Sequence, residues 1–123
     1  MIKKQKRILV LLVTLAAYTY AAVGTAGTVS NATVTSVNPT IYGGTGGAVP
    51  VFIYLSIADS NIGCNSANLS AFAIDSSNPG GRAMLAVALE AMATGLTVTV
   101  VGQGSCNIWS VVETANSMYL NAG

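Results

Sequence analysis

Histidine is absent from the 123 residues, and charge is scarce: five Lys and Arg, four Asp and Glu, 7% of the chain together. Without imidazole the chain lacks the commonest general base and the commonest neutral metal ligand. Serine is plentiful, but a nucleophilic serine needs a base held beside it. The four carboxylates, Asp59, Asp75, Glu90 and Glu113, lie on four different predicted elements with no DxD or ExxE pairing. Each is expected to be a solvated surface charge. Cysteine is limited to Cys64 and Cys106, with no CxxC, which argues against thiol redox chemistry. The glycine-rich stretch Tyr42 to Pro50, "YGGTGGAVP", is not followed by the Lys-Ser/Thr of a phosphate-cradling loop. These absences lead to the expectation of a non-enzymatic protein with no catalytic residue, no cofactor and no metal.

The charge that is present is unevenly placed. Lys3, Lys4, Lys6 and Arg7 begin the chain, and Ile8 to Ala17, "ILVLLVTLAA", follows as an unbroken apolar run. Small residues then crowd Ala21, Ala22, Gly24, Ala26 and Gly27. That order is that of a secretory leader. Cleavage fits after Ala22, Gly24 or Ala26, and Ala26 is favoured, giving residues 1–26 as leader and 27–123 as one domain. An uncleaved anchor is the rival reading, but the strictly apolar run is short of the roughly 20 residues a bilayer span needs. The expected location is the periplasm or the exterior. After cleavage Arg82 is the only basic side chain against four carboxylates, a net charge of −3. Nucleic acid binding relies on clustered Lys and Arg, so no nucleic acid partner is expected, nor an anionic membrane surface. In an exported chain Cys64 and Cys106 are expected to pair. The chain-entropy model gives about 4 kcal/mol for a loop of this length.

Thr28 to Asn38 is rich in Thr and Val and reads as one long, bent or bulged strand. Val49 to Ile57, "VPVFIYLSI", is the clearest strand, with Val49, Val51, Ile53, Leu55 and Ile57 on a core-facing side. Leu69 to Asp75, Leu96 to Val101 and Val111 to Leu120 complete five strands. Between the third and fourth lies a helix. Ser77 or Asn78 would cap it, Pro79 would be its first residue and Gly95 would end it. This element order predicts an α+β fold: an OB-like five-stranded antiparallel barrel with one helix between strands three and four. An open antiparallel sheet with one packed helix is the alternative.

The helix raises its own question, because Ala83 to Leu89 is apolar on every side. A surface helix of a small domain should be apolar on one side only. Leu85, Leu89 and Met92 are spaced to lie on one stripe, and Ala83, Val87 and Ala91 form a second. Arg82 pairs either with Asp75 or another carboxylate of its own chain, or across subunits. Trp109 follows Cys106 in a polar stretch, where it would be either a lid on the barrel end or a platform for a sugar ring. Phe52 and Tyr54 pose the same choice on the outer face of the second strand.

From Arg82 to Leu120 the sequence carries a pattern seen in small exported bacterial proteins. Arg82, Leu85, Leu89, Ala91, Gly95, Val98, Val100, Gly102, Gly104, Cys106 and Glu113 fit it. The pattern and element order resemble the receptor-binding B subunits of bacterial pentameric toxins, especially the subtilase-cytotoxin type. That resemblance implies an exported OB-fold domain with a disulfide, a cyclic homo-oligomer, a glycan ligand and an exported catalytic subunit as partner. In such an oligomer the Leu85, Leu89 and Met92 stripe would pack on its own barrel, and Ala83, Val87 and Ala91, with Arg82, would face neighbouring subunits. It implies no particular sugar-contacting residue, since the early strands match only by order.

Overall fold

The computed structural model describes residues 26–59, 63–66 and 70–123. The leader, apart from Ala26, and the expected start of the third strand at Leu69 lie outside them. Six strands and one helix follow in order: β1 Thr28–Ala32, β2 Val34–Pro39, β3 Pro50–Leu55, β4 Ala71–Asp75, α1 Pro79–Thr94, β5 Val98–Gly102 and β6 Ala115–Leu120. A short 3-10 turn, Thr45–Gly47, sits in the glycine-rich loop.

The strands form two antiparallel three-stranded sheets, ordered β1-β5-β6 and β2-β3-β4. The α+β class holds, but the expected five-stranded OB-like barrel does not form: among the described residues there are six strands in two sheets and no closed barrel. The reason lies in the first predicted strand. Asn31 takes φ 55°, a left-handed conformation that Asn tolerates better than most residues. The pairing register shifts across it, between Val29 and Ala32, and again after it, between Val34 and Ser36. The segment therefore divides, sending β1 to β5 and β2 to β3. On the opposite side, the segment leading into β6 is joined to β4 by one parallel bridge, Ala73 to Thr114.

Both sheets and the helix enclose a single main core, in which Ile53, Phe72, Ile74, Val98 and Val100 are completely buried. On β3, Val51, Ile53 and Leu55 point inward as expected. Val49 and Ile57 do not; they are 46% and 45% exposed, because the paired strand begins at Pro50 and ends at Leu55.

The helix begins and ends as its sequence dictates. Asn78 is the cap, its side chain accepting from the Gly80 N–H at 2.8 Å, and Pro79 takes the first position, where its missing N–H costs nothing. Gly95, at φ 72°, ends it and donates to the Ala91 carbonyl at 2.9 Å. Its faces are not those expected. Gly81, Ala88 and Ala91 are buried, and Met84, Leu85 and Val87 pack partly against the core. Leu89 and Met92 are 51% and 46% exposed. Small residues on the inner face bring the helix close to the sheets: a Cβ on Gly81 would strike the Asp75 carbonyl.

Candidate functional site

Cys64 and Cys106 are bonded, with Cα atoms 5.9 Å apart. The bridge fastens the loop before β4 to the loop after β5. That second loop is moulded around Glu113 and Thr114. The Thr114 hydroxyl accepts from the Asn107 and Ile108 N–H groups at 2.9 and 3.3 Å, and the Thr114 N–H donates to the Ser105 carbonyl at 2.9 Å. Beside the bridge, buried Asn65 donates to the Asp59 carboxylate at 3.3 Å.

Two of the four carboxylates overturn the expectation of solvated surface charges. Asp59 is 3% exposed and Glu113 completely buried. Glu113 accepts from the Gly27 N–H at 2.9 Å and from the Gly104 N–H at 3.1 Å. Gly102 stands so close that a Cβ there would collide with the Glu113 carboxylate. Gly102, Gly104 and Glu113, neighbours in the sequence pattern, thus meet around one carboxylate.

Phe52 and Trp109 meet edge to face, with ring centroids 5.5 Å apart and planes at 85°. Tyr54 lies on the same face of β3 as Phe52. All three are half-buried over a small second cluster containing Ala71, Ala73, Ile108 and Val112. Each ring therefore covers apolar side chains while keeping part of its surface open. Such an aromatic pair contributes about 0.5–1.5 kcal/mol beyond its burial.

A cleft of about 380 Å³ opens at the start of α1. Its polar lining comes mainly from Asn78, Gln103, Asn107, Thr114 and Asn116, with Met84 and Ile108 supplying apolar surface. The Asn107 side-chain amide donates to the Gln103 side chain at 3.1 Å. Asp75 is the only carboxylate lining it. Its oxygen accepts from the Ser77 hydroxyl at 2.6 Å and from the Val49 and Ser77 N–H groups at 2.9 and 3.0 Å. These bonds, the Ser77 hydroxyl foremost, hold the carboxyl below its ordinary pKa. It is a turn-fixing anion rather than a proton acceptor. Sequence reasoning missed this cleft. The available signal was the spacing of Asn78, Gln103, Asn107 and Asn116 on segments flanking the helix and β5.

The residues expected at an oligomer interface do not form one open stripe. Arg82 and Ala83 are exposed, Val87 is half-buried, and Ala91 is 2% exposed within its own core. Arg82 donates to the Ser77 and Ser76 carbonyls at 3.1 and 3.5 Å, so its guanidinium steadies the turn before the helix. The open apolar surface lies elsewhere: a groove of about 330 Å³ bounded by Val37, Pro39 and Val51 on one side and Leu85, Leu89 and Met92 on the other.

Among the described residues no three His, Cys, Asp or Glu side chains converge as a metal site, and no helix is long and apolar enough to cross a membrane. Comparison with known proteins finds no matching family model, no matching curated protein and no matching solved structure.

Proposed function

We propose that the chain is an exported binding module, periplasmic or secreted, that takes a neutral polar ligand of the carbohydrate class without altering it chemically. The observation that carries this reading is the cleft at the start of α1. Its amide and hydroxyl lining suits hydroxyl-rich, uncharged molecules, and its apolar portion suits a sugar ring face. Trp109 follows the cleft residue Ile108 directly and offers, with Phe52 and Tyr54, half-exposed rings for stacking. The resemblance to toxin B subunits supports the same class of ligand, and with it an exported catalytic subunit as partner. A glycan array on the exported protein tests the reading. Asn107→Ala should weaken any glycan signal about tenfold, as expected when a ligand hydroxyl loses one hydrogen bond. Trp109→Ala should do so where stacking contributes. An array with no signal refutes the sugar ligand. Full binding by the Asn107, Trp109, Phe52 and Tyr54 alanine variants refutes this location.

A second reading is favoured by the apolar groove between β2 and α1. Leu89 and Met92, each about half exposed, suit a protein surface better than water. On this reading the chain is a structural or partner-binding domain without sugar recognition, and self-association into a cyclic homo-oligomer is its simplest form. Light scattering on the wild-type protein decides whether it self-associates.

A further inference from the structure

Gly27 is held between two buried carboxylates. Its nitrogen lies 2.9 and 3.3 Å from the two Glu113 oxygens. On its other side Asp59 comes so near that a Cβ on Gly27 would collide with the Asp59 carboxylate. The position is fixed from both ends: the Gly27 carbonyl accepts from the Gly102 N–H at 2.7 Å, and the Glu113 carbonyl accepts from the Ala73 N–H at 2.8 Å. Asp59 and Glu113 are 3% and 0% exposed. A peptide N–H supplies one hydrogen and no net charge to such a place. An α-ammonium supplies three hydrogens and a full positive charge, and charge-assisted bonds to carboxylates are roughly twice as strong as neutral ones.

The sequence independently marks the same peptide bond. Gly24 and Ala26 are the small residues expected three and one positions before a leader cleavage site. The fold changes there too, since Ala26 is exposed and Gly27 buried. We infer that the Ala26–Gly27 bond is the processing site, and that the α-ammonium it releases docks between Glu113 and Asp59 as a buried ion pair that stabilises the mature fold. Hydrolysis adds water across the bond, hydroxyl to the Ala26 carbonyl carbon and hydrogen to the Gly27 nitrogen. The new carboxyl gives up a proton and the new amine takes one up. The agent is a leader peptidase acting before the chain folds, because Gly27 is inaccessible afterwards. Glycine is required at the new terminus, as the Asp59 carboxylate occupies the space of any side chain.

This inference rests on the export reading and not on the ligand. Its test uses the full chain, expressed with its leader and recovered after export. N-terminal sequencing should begin at Gly27. Lys3, Lys4 and Lys6 are the only lysines, so the mature chain carries one primary amine, its own terminus. An amine-reactive acetylating reagent therefore reads that group alone. Acetylation should be slowed about a hundredfold in native protein relative to urea-unfolded protein, as access then requires opening of the fold. Inserting one Ala between Ala26 and Gly27 moves the ammonium out of the cradle and should lower the folding equilibrium constant about a hundredfold, in keeping with the loss of a buried ion pair. The same insertion in Glu113→Gln should lower it by a clearly smaller factor. A terminus other than Gly27, native acetylation at the unfolded rate, or an insertion variant as stable as the wild type overturns the inference. Recovery of an uncleaved chain overturns the cleaved-leader reading with it. Glycan binding moves none of these readouts, and the acetylation result on wild-type protein stands even where Glu113→Gln fails to fold.

Discussion

The orientation of α1 can be tested by exchanging the consequences of two adjacent positions. Leu89 is 51% exposed and Ala88 completely buried. Fully burying a leucine side chain stabilises a fold by about 1.5–3 kcal/mol, and about half of this one remains in water. Leu89→Lys therefore gives up about 1 kcal/mol of burial, and Lys is nearly as good a helix former as Leu. Ala88→Lys forces an ammonium and four methylenes into a filled core. An uncompensated buried charge alone costs about 3–5 kcal/mol, and overpacking adds about 1–3 kcal/mol. Small domains have about 5–15 kcal/mol of total stability. Leu89→Lys should fold, and Ala88→Lys should fail or nearly fail to fold. Urea unfolding followed through Trp109, the only tryptophan, measures both. With a slope of about 1–3 kcal/mol per molar urea, Leu89→Lys should move the midpoint down by about 0.3–1 M. An unfolded Leu89→Lys beside a stable Ala88→Lys would show that the helix is turned the other way. The same variant reports on the groove: if the wild type self-associates through it, Leu89→Lys should give folded monomers. A wild-type monomer at micromolar concentration refutes the oligomer outright.

Three further outcomes follow from the same geometry. Cys106→Ser should cost up to about 4 kcal/mol, read as a lowered urea midpoint, and a midpoint unchanged by reducing agent would show that the bridge contributes nothing. Gly102→Ala places a methyl against the Glu113 carboxylate and should destabilise by about 1–3 kcal/mol, whereas Gly43→Ala, with open space around it, should change the midpoint little; equal effects would refute the close packing around Glu113. Asp75 has a folded pKa below its ordinary 3.8, so its contribution is complete above that value and is lost as pH falls through the lower folded value. Asp75→Asn should accordingly be less stable than wild type at pH 6, with the gap closing below about pH 4 in urea titrations. A gap that persists unchanged at low pH would refute the ionic role.

Much of the fold was legible because its signals are local. Asn78, Pro79 and Gly95 specify the helix ends by backbone chemistry that needs no tertiary partner. Alternation located β3 because one face of it is buried and the other half-open. The division of the first strand was not legible. Thr28 to Asn38, rich in Thr and Val, reads as one strand with a slip of alternation, and the φ of 55° at Asn31 marks where the slip becomes a transfer between sheets. The helix faces were misassigned for a related reason. With apolar residues on every side, periodicity alone cannot choose between stripes. Spacing groups Leu85, Leu89 and Met92 on one stripe, but it does not say which stripe meets the core. The close approach of the helix through Gly81, Ala88 and Ala91 decides it the other way.

The site shows the opposite pattern: its residues were visible and their surroundings were not. A sparse set of carboxylates in a weakly charged chain reads as surface, because burying one without strong partners is costly. Glu113 escapes that rule through what folds around it. Val111 and Val112 precede it, Gly102 leaves room for its head group, and the N–H groups of Gly27 and Gly104 solvate it in place of water. None of these neighbours is local except the two valines. The nearest of the others is nine residues away and the farthest eighty-six. The carboxylate is thus a test of tertiary closure, since its bond to the Gly27 N–H forms only when the first described residues have returned to the segment before β6. Under the processing proposed above, the new terminus would fall at this same carboxylate, so Gly27, rather than any cleft residue, is where a change in maturation would be read as a change in stability.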